Sequence, residues 1–176
     1  MDSAAETVER ELTILLRSAR TQADRAARKL DARLDSSAYI ALTRIADCGP
    51  MRAQTLAGRI GLDKSTVSRL VSTLAELGFV ERVPDPDDGR AFQLRLTRDG
   101  AARLRAVREE RRAELWRLLA AWSEEDRATF ARLLTSFNND GQALSTAKGP
   151  SADNGATARN TGPAPAGPDD ADGPNT

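Results

Sequence analysis

Four residues set the tightest constraint on this chain. Ala57, Gly61, Val67 and Leu70 stand at relative offsets of 0, 4, 10 and 13. Two short helices crossing steeply around a three-residue turn need that pattern. A small side chain in the first helix, Ala57, lets the second approach closely. The turn needs a residue tolerant of positive φ, which Gly61 supplies. Val67 and Leu70 then face back from the second helix. Helices over about 53–60 and 64–77, joined by Gly61-Leu62-Asp63, meet all four demands and define a helix-turn-helix.

The flanking sequence extends this unit. A hairpin follows, with strands at 79–83 and 91–96, where Phe92, Leu94 and Leu96 alternate with Gln93 and Arg95. The loop from Pro84 to Arg90 is rich in turn formers and has no core-forming side chain. Upstream, residues 4–33 read as one long helix. Leu12, Leu15, Leu16, Ala19, Ala23, Ala26, Ala27 and Leu30 recur at helical intervals, and Ser3 with Glu6 has capping-box spacing. Asp35 or Ser36 caps a second helix that runs to about Asp47 and ends at Cys48-Gly49-Pro50. Thr97 caps a long helix from 98 to about 121. Ser123 with Asp126 opens a last one holding Phe130, Leu133, Leu134 and Phe137. The expected class is mainly α, a winged helix-turn-helix in the order α-α-α-α-β-β-α-α with long helices at both ends. Composition then changes. Segment 141–176 holds six of the 12 glycines and five of the 8 prolines, with Leu144 its only large apolar residue. Such a stretch buries too little surface to offset chain entropy and is expected to be a disordered tail.

Composition excludes most chemistry. Without histidine there is no Ser-His-Asp triad, no Cys-His dyad and no His-ligated metal. One cysteine, Cys48, forbids an internal disulfide and any multi-cysteine metal site. Asp87 and Asp88 are adjacent carboxylates in a polar loop, whereas carboxylates that flank a reacting bond converge from separate elements. No enzyme, metal or cofactor is expected. No apolar run approaches the ~20 residues of a membrane span. The start, MDSAAETVERELTILL, has acids where a signal peptide is basic. A cytoplasmic protein without a membrane partner is the expectation.

Net charge is zero, 26 basic against 26 acidic residues, but the charges are unevenly spread. Segment 52–105 holds ten Lys and Arg against seven Asp and Glu; segment 10–33 holds seven against three. In the second helix of the motif Val67, Leu70, Val71, Leu74 and Leu77 form an apolar stripe. The opposite face presents Ser65, Ser68, Arg69 and Ser72, with Lys64 and Thr66 at its N-terminal end. Short hydroxyls let a helix approach a major groove, and an arginine chelates guanine or holds phosphate. Arg90, beside Asp87 and Asp88, is placed to enter an adjacent minor groove. The two acids are assigned to support it. The plain alternatives are a solvated helix face and an arginine that only neutralises its neighbours. A winged-helix protein-interaction module is the alternative function; DNA binding is told from it by a steep fall with salt.

The stretch LAGRIGLDKSTVSRLVSTLAELGFVERVPDPDDGRAFQLRLTRDG resembles the core of the MarR family of winged-helix transcriptional regulators. Closest are STVSRLV, the L-x-x-L-G-[FL]-V-x-R junction from Leu74 to Arg82, the D-P-x-D-x-R-like wing from Asp85 to Arg90, and LT-x-x-G from Leu96 to Gly100. The likeness covers roughly residues 5–138. It implies a homodimer that binds double-stranded DNA as a repressor at a pseudo-palindrome. Residues 1–33 would then be an N-terminal dimerisation helix, 34–97 the DNA-binding domain, 98–140 C-terminal dimerisation helices and 141–176 the tail. By position Arg90 matches the family's minor-groove arginine; Ser65, Thr66, Ser68 and Arg69 match recognition-helix contacts. Arg52 stands where the family usually has Ser or Thr before its third helix, which implies a weaker cap there or a phosphate contact. The family's small aromatic effectors bind between the first two helices and the fifth. That makes Arg20, Tyr39 and Trp116, with Trp122, candidates for an anionic-effector pocket, against the plainer reading of core or dimer packing. Cys48 lacks a partner cysteine and is read as inert.

Overall fold

The computed structural model describes the backbone of residues 3–147 and the side chains of residues 3–141. The order is α1 (Ser3–Leu30), α2 (Ser36–Cys48), α3 (Ala53–Ile60), α4 (Lys64–Glu76), β1 (Val80–Pro84), β2 (Phe92–Leu96), α5 (Arg98–Leu119) and α6 (Glu124–Ala147). The chain divides into two compact units, one reaching Ser123 and one beginning at Glu124. In the second, the described part is α6.

The first helix stops at Leu30, three residues before the expected end. The Asp31 Oδ1 takes the Arg33 backbone N–H at 2.9 Å and the Asp31 carbonyl takes that of Leu34 at 3.0 Å. An Asp that bonds backbone two residues on offers the chain a turn in place of another helical step. Ser3 lies inside α1, so the capping-box expectation does not describe its start. Asp35 caps α2 by accepting from the Ala38 N–H at 3.0 Å. The last helix runs to Ala147, seven residues into the segment expected to be a tail. Gly141 weakens a helix but does not stop one, and no proline intervenes before Pro150. The remainder of the expected tail lies outside the described residues.

One core joins α1 to α5. Ala26, Ala27 and Leu30 of α1 pack with Leu42 and Ile45 of α2, Leu56 of α3, Val67 and Leu74 of α4, Phe79, Leu94 of β2, and Leu104 of α5. Gly61 adopts φ 67°, as the turn requires.

The end of α4 explains the L-x-x-L-G-F spacing. Gly78 turns left-handed at φ 73°, and the Phe79 N–H returns to the Leu74 carbonyl at 2.9 Å. That geometry satisfies the helix's last carbonyls and drives the next side chain inward. Phe79 is fully buried there, so β1 begins at Val80, one residue later than the pattern suggested. The hairpin is antiparallel, with Val80 opposite Leu96, Arg82 opposite Leu94 and Pro84 opposite Phe92. Leu94 also exchanges both backbone bonds with Met51, at 3.2 and 2.8 Å. The α2–α3 connection thereby covers the other edge of β2.

The start of α5 is equally specific. The Thr97 N–H donates to the Phe79 carbonyl at 3.0 Å. Its hydroxyl donates to the Gly78 carbonyl and accepts the Gly100 N–H at 2.9 Å. A Cβ at position 100 would meet the Phe79 carbonyl oxygen at 2.3 Å. Since the obstacle is backbone, Gly100→Ala should cost about 1–3 kcal/mol or more. Urea unfolding of the two proteins measures this; equal midpoints would show that the junction can yield.

Candidate nucleic-acid interface

The face of α4 is organised by its own cap. The Asp63 carboxylate accepts the Thr66 N–H at 2.9 Å, and its two oxygens accept the Ser65 and Thr66 hydroxyls at 2.6 Å each. Bonds from the Ser65 and Thr66 hydroxyls, with the Thr66 N–H, hold this carboxyl well below the usual carboxylate range. The two hydroxyl protons are thus committed. Ser65 and Thr66 keep lone pairs and can accept from a base amino group, but cannot donate to a phosphate in this arrangement. Ser65 is exposed and Thr66 half-buried.

Further along the helix the face is open. Lys64, Ser68, Arg69 and Ser72 are exposed. The Ser72 hydroxyl donates to the Ser68 carbonyl at 3.1 Å, while the Lys64, Ser68 and Arg69 side chains have no internal partner among the described residues. At about 100° per residue, Ser65 and Ser72 mark the centre of this face, Ser68 leans to one flank and Arg69 to the other. Val67, Val71 and Leu74 bury the opposite side.

The wing is supported by a residue to which the sequence reading gave no role. Asp85 is buried, its side chain 2% exposed. Its Oδ2 takes the Arg52 Nε at 2.7 Å and the Gln93 Nε2 at 3.1 Å; its Oδ1 takes the Asp87 backbone N–H at 3.0 Å. The Arg52 guanidinium first, then the Asp87 N–H, pull this carboxyl below its ordinary range against the opposing effect of burial. Arg52 precedes α3 without capping it by a side-chain bond, and its guanidinium serves the wing. Asp88 accepts the Arg90 backbone N–H at 3.1 Å and lies 3.7 Å from the Arg52 Nη2. Asp87 contributes its backbone; its carboxylate makes no hydrogen bond or ion pair among the described residues, and its charge acts on the Arg52 guanidinium only from a distance. Direct side-chain bonds in the wing therefore come from Asp85 and Asp88, while Asp87 adds its backbone N–H and the more distant pull of its charge on Arg52. The Arg90 guanidinium is exposed and unpaired within the described residues. The D-P dipeptide that opens the loop was the available signal for Asp85, but no spacing rule marks which of three nearby acids turns inward.

A separate cavity of about 610 Å³ lies between α1, α2 and α5. Arg20, Tyr39, Thr43, Arg44 and Arg111 line it. The Arg111 guanidinium sits over the Tyr39 ring, 5.0 Å from its centroid. Arg20 and Tyr39 both line this cavity, while Trp116 lies outside the lining and is exposed. Trp116 is nine residues beyond Val107, the last α5 residue buried in the core. Arg44 and Arg111 are the cationic residues the sequence reading missed. Cys48 is exposed, with the Arg59 Nη1 2.6 Å from its Sγ. Among the described residues no helix is long and apolar enough to cross a membrane.

A capped helix with an open polar face, set in a helix-turn-helix and followed by an arginine-tipped hairpin, defines a winged-helix DNA-binding protein. The model of the MarR family matches residues 34–92. YxaD, an HTH-type transcriptional regulator of Bacillus subtilis, is 33% identical over 118 residues, covering 67% of this chain and 81% of that protein. HTH-type transcriptional regulator MT0903.1 of Mycobacterium tuberculosis is 36% identical over 80 residues, 46% of this chain and 56% of its own length. Among solved structures, RV1404 from Mycobacterium tuberculosis superposes with a TM-score of 0.69 at 24% identity, over 80% of this chain and 97% of that one. The apo form of MarR from E. coli gives 0.62 at 22%, over 73% and 95%. These two speak for the fold. The chain belongs to the MarR family of transcriptional regulators, and it is a DNA-binding regulator of that family.

The buried Asp85 yields a pH signature. Its pKa in the folded protein lies below that in the unfolded chain, about 3.9. Its contribution is therefore complete at neutral pH and is lost as pH falls below about 4. Asp85→Asn should melt lower than the parent at pH 7, with the gap holding down to about pH 4 and narrowing below it. Melting curves across this range measure it; a gap that ignores pH would show that the charge of Asp85 adds nothing.

Proposed function

We propose that the chain is a homodimeric, sequence-specific repressor acting in the cytoplasm, with α4 read into a major groove and Arg90 into the adjoining minor groove. The observation that carries this reading is the open face of α4. Ser68 and Arg69 stand exposed and unpaired among the described residues, on a helix held from behind by buried Val67 and Leu74. The anchored wing next to it keeps a free guanidinium at Arg90.

Dimerisation is supported by apolar surface that a lone protomer leaves wet. In α1, Ile14, Leu15 and Leu16 are exposed, Leu16 by 69%; in α5, Leu115, Trp116 and Leu118 are exposed; in α6, Phe130, Leu133 and Phe137 are. Patches of this kind mark interfaces. A second copy covers them symmetrically and sets two reading helices about one DNA turn, ~34–36 Å, apart. The cavity beside Tyr39 supports a small aromatic carboxylate as effector. Its size suits small-molecule sites, and Arg20, Arg44 and Arg111 match a carboxylate in charge. An occupant wedged between α1, α2 and α5 would alter the spacing of the reading helices and release DNA.

Arg69→Ala and Arg90→Ala should each weaken binding by about 1–3 kcal/mol to the promoter next to the chain's own gene. A shift assay with native mass spectrometry of the shifted complex reads affinity and stoichiometry together. Two chains per duplex are expected; parental affinity in both variants would sink the binding mode, and one chain per duplex the dimer. For the effector, benzoate titrated into the protein should raise its melting temperature, and Arg111→Ala should lose most of that rise. No shift in the parent would remove benzoate-like acids from consideration.

A further inference from the structure

The face of α4 is bordered by two grooves. One is lined by Lys64 and Ser68 of α4, Gln54 of α3, Arg82 of β1 and Phe92 of β2. The other is lined by Thr66 and Arg69 of α4, Arg33 from the α1–α2 turn and Ser37 of α2. At about 100° per residue, Lys64 and Ser68 project from nearly the opposite side of the helix to Thr66 and Thr73, which also lines the second groove. The grooves therefore run along the two flanks of the reading face.

A helix seated in a major groove has a sugar-phosphate wall on each flank, because the groove is only about 12 Å wide. Each wall requires a cation at the phosphate and room for the sugar. The wing-side groove offers the exposed Arg82, which has no internal partner among the described residues, beside Phe92, 58% exposed. The α2-side groove offers Arg33. Its Nε meets the Asp31 Oδ1 at 3.0 Å and its Nη2 meets the Asp31 Oδ2 at 3.3 Å. Those two bonds orient the guanidinium fork and leave Nη1 without a hydrogen bond to Asp31, so one edge is held and the other stays open to a further acceptor. The wing-side cation is unpaired and the α2-side cation is pre-oriented, and neither lies on the reading helix.

We propose that Arg82 and Arg33 are DNA-positioning residues, each holding the backbone phosphates of one wall of the major groove while Ser68 and Arg69 read the bases between them. The assignment rests on α4 entering the major groove. It gives two contacts that locate the duplex and carry no sequence preference.

Two probes test it: a duplex selected from a random library by the parent protein, and a random-sequence duplex of the same length. For Arg82→Ala and for Arg33→Ala, the slope of log affinity against log salt should become shallower by about 1. Both probes should weaken by the same factor, and the base preferences recovered by repeated selection should match the parent's. Arg82→Lys and Arg33→Lys should restore most of the slope, which separates lost charge from a disturbed fold. Arg10→Ala, remote on α1, should leave the slope unchanged. A parental slope in either alanine variant, an altered base preference, or no rescue by lysine would overturn the proposal for that residue. Arg69→Ala separates the two levels. If it changes base preference while the Arg33 and Arg82 slopes stay parental, the phosphate assignment alone fails. If Arg69→Ala leaves both affinity and preference unchanged, the reading of α4 fails.

Discussion

The packing around Phe79 is the constraint on which the reading head depends. The ring is fully buried, the Arg103 guanidinium lies over it at 4.2 Å, and its carbonyl is shared by the Thr97 N–H and the close approach of Gly100. Three elements meet at this residue: the end of α4, the first strand of the wing and the start of α5. Phe79 thereby places the wing beside the reading helix and aims α5 back across the core. Along α5 the same helix reaches Leu104 in the core and then Arg111 over Tyr39. A single buried aromatic thus relates the wing, the reading helix and the cavity beside Tyr39 through continuous backbone.

Steric demands were the easiest to read from sequence. Ala57 and Gly61 occupy places where a larger or less permissive residue conflicts with the backbone, and such conflicts leave a mark that needs no partner to interpret. The alternation of Phe92, Leu94 and Leu96 located the second strand for a similar reason. Polar partnerships were harder. Asp85, Asp87 and Asp88 look alike in a loop, and only the fold decides that the first is buried against Arg52 and Gln93. The missing Ser or Thr at position 52 correctly foretold a helix start without a side-chain cap, but not that its replacement would hold the wing. Ser65 and Thr66 read as base-contacting hydroxyls because spacing reports a face and not where a proton is donated. Trp116 was a pocket candidate through the family's effector position on the fifth helix; it lies further along α5 than Arg111, outside the lining of the cavity.

The zero net charge of the chain is a sum over surfaces with opposite uses. Three of the acids near the reading face are engaged internally: Asp63 on the cap of α4, Asp85 on Arg52 and Gln93, Asp88 on the backbone of Arg90. Their charge orders cationic or polar groups and does little to screen them from a polyanion. Arg69, Arg82 and Arg90 remain exposed without an internal acid among the described residues. Local pairing, rather than overall balance, decides what a duplex meets.

The pair of backbone bonds between Met51 and Leu94 reaches further than sheet geometry. It fastens the connection before α3 to the second strand of the wing, while Arg52 and Asp85 fasten the same connection to the wing loop. Hairpin and helix-turn-helix are thereby cross-braced, which restrains the offset between the wing and the reading helix. A braced gauge of this kind resists stretching to suit its target. With α4 and Arg90 seated in adjoining grooves as proposed, the deformation would fall on the DNA, and sequences that narrow or bend easily between the two contacts would be favoured even at base pairs the protein never touches.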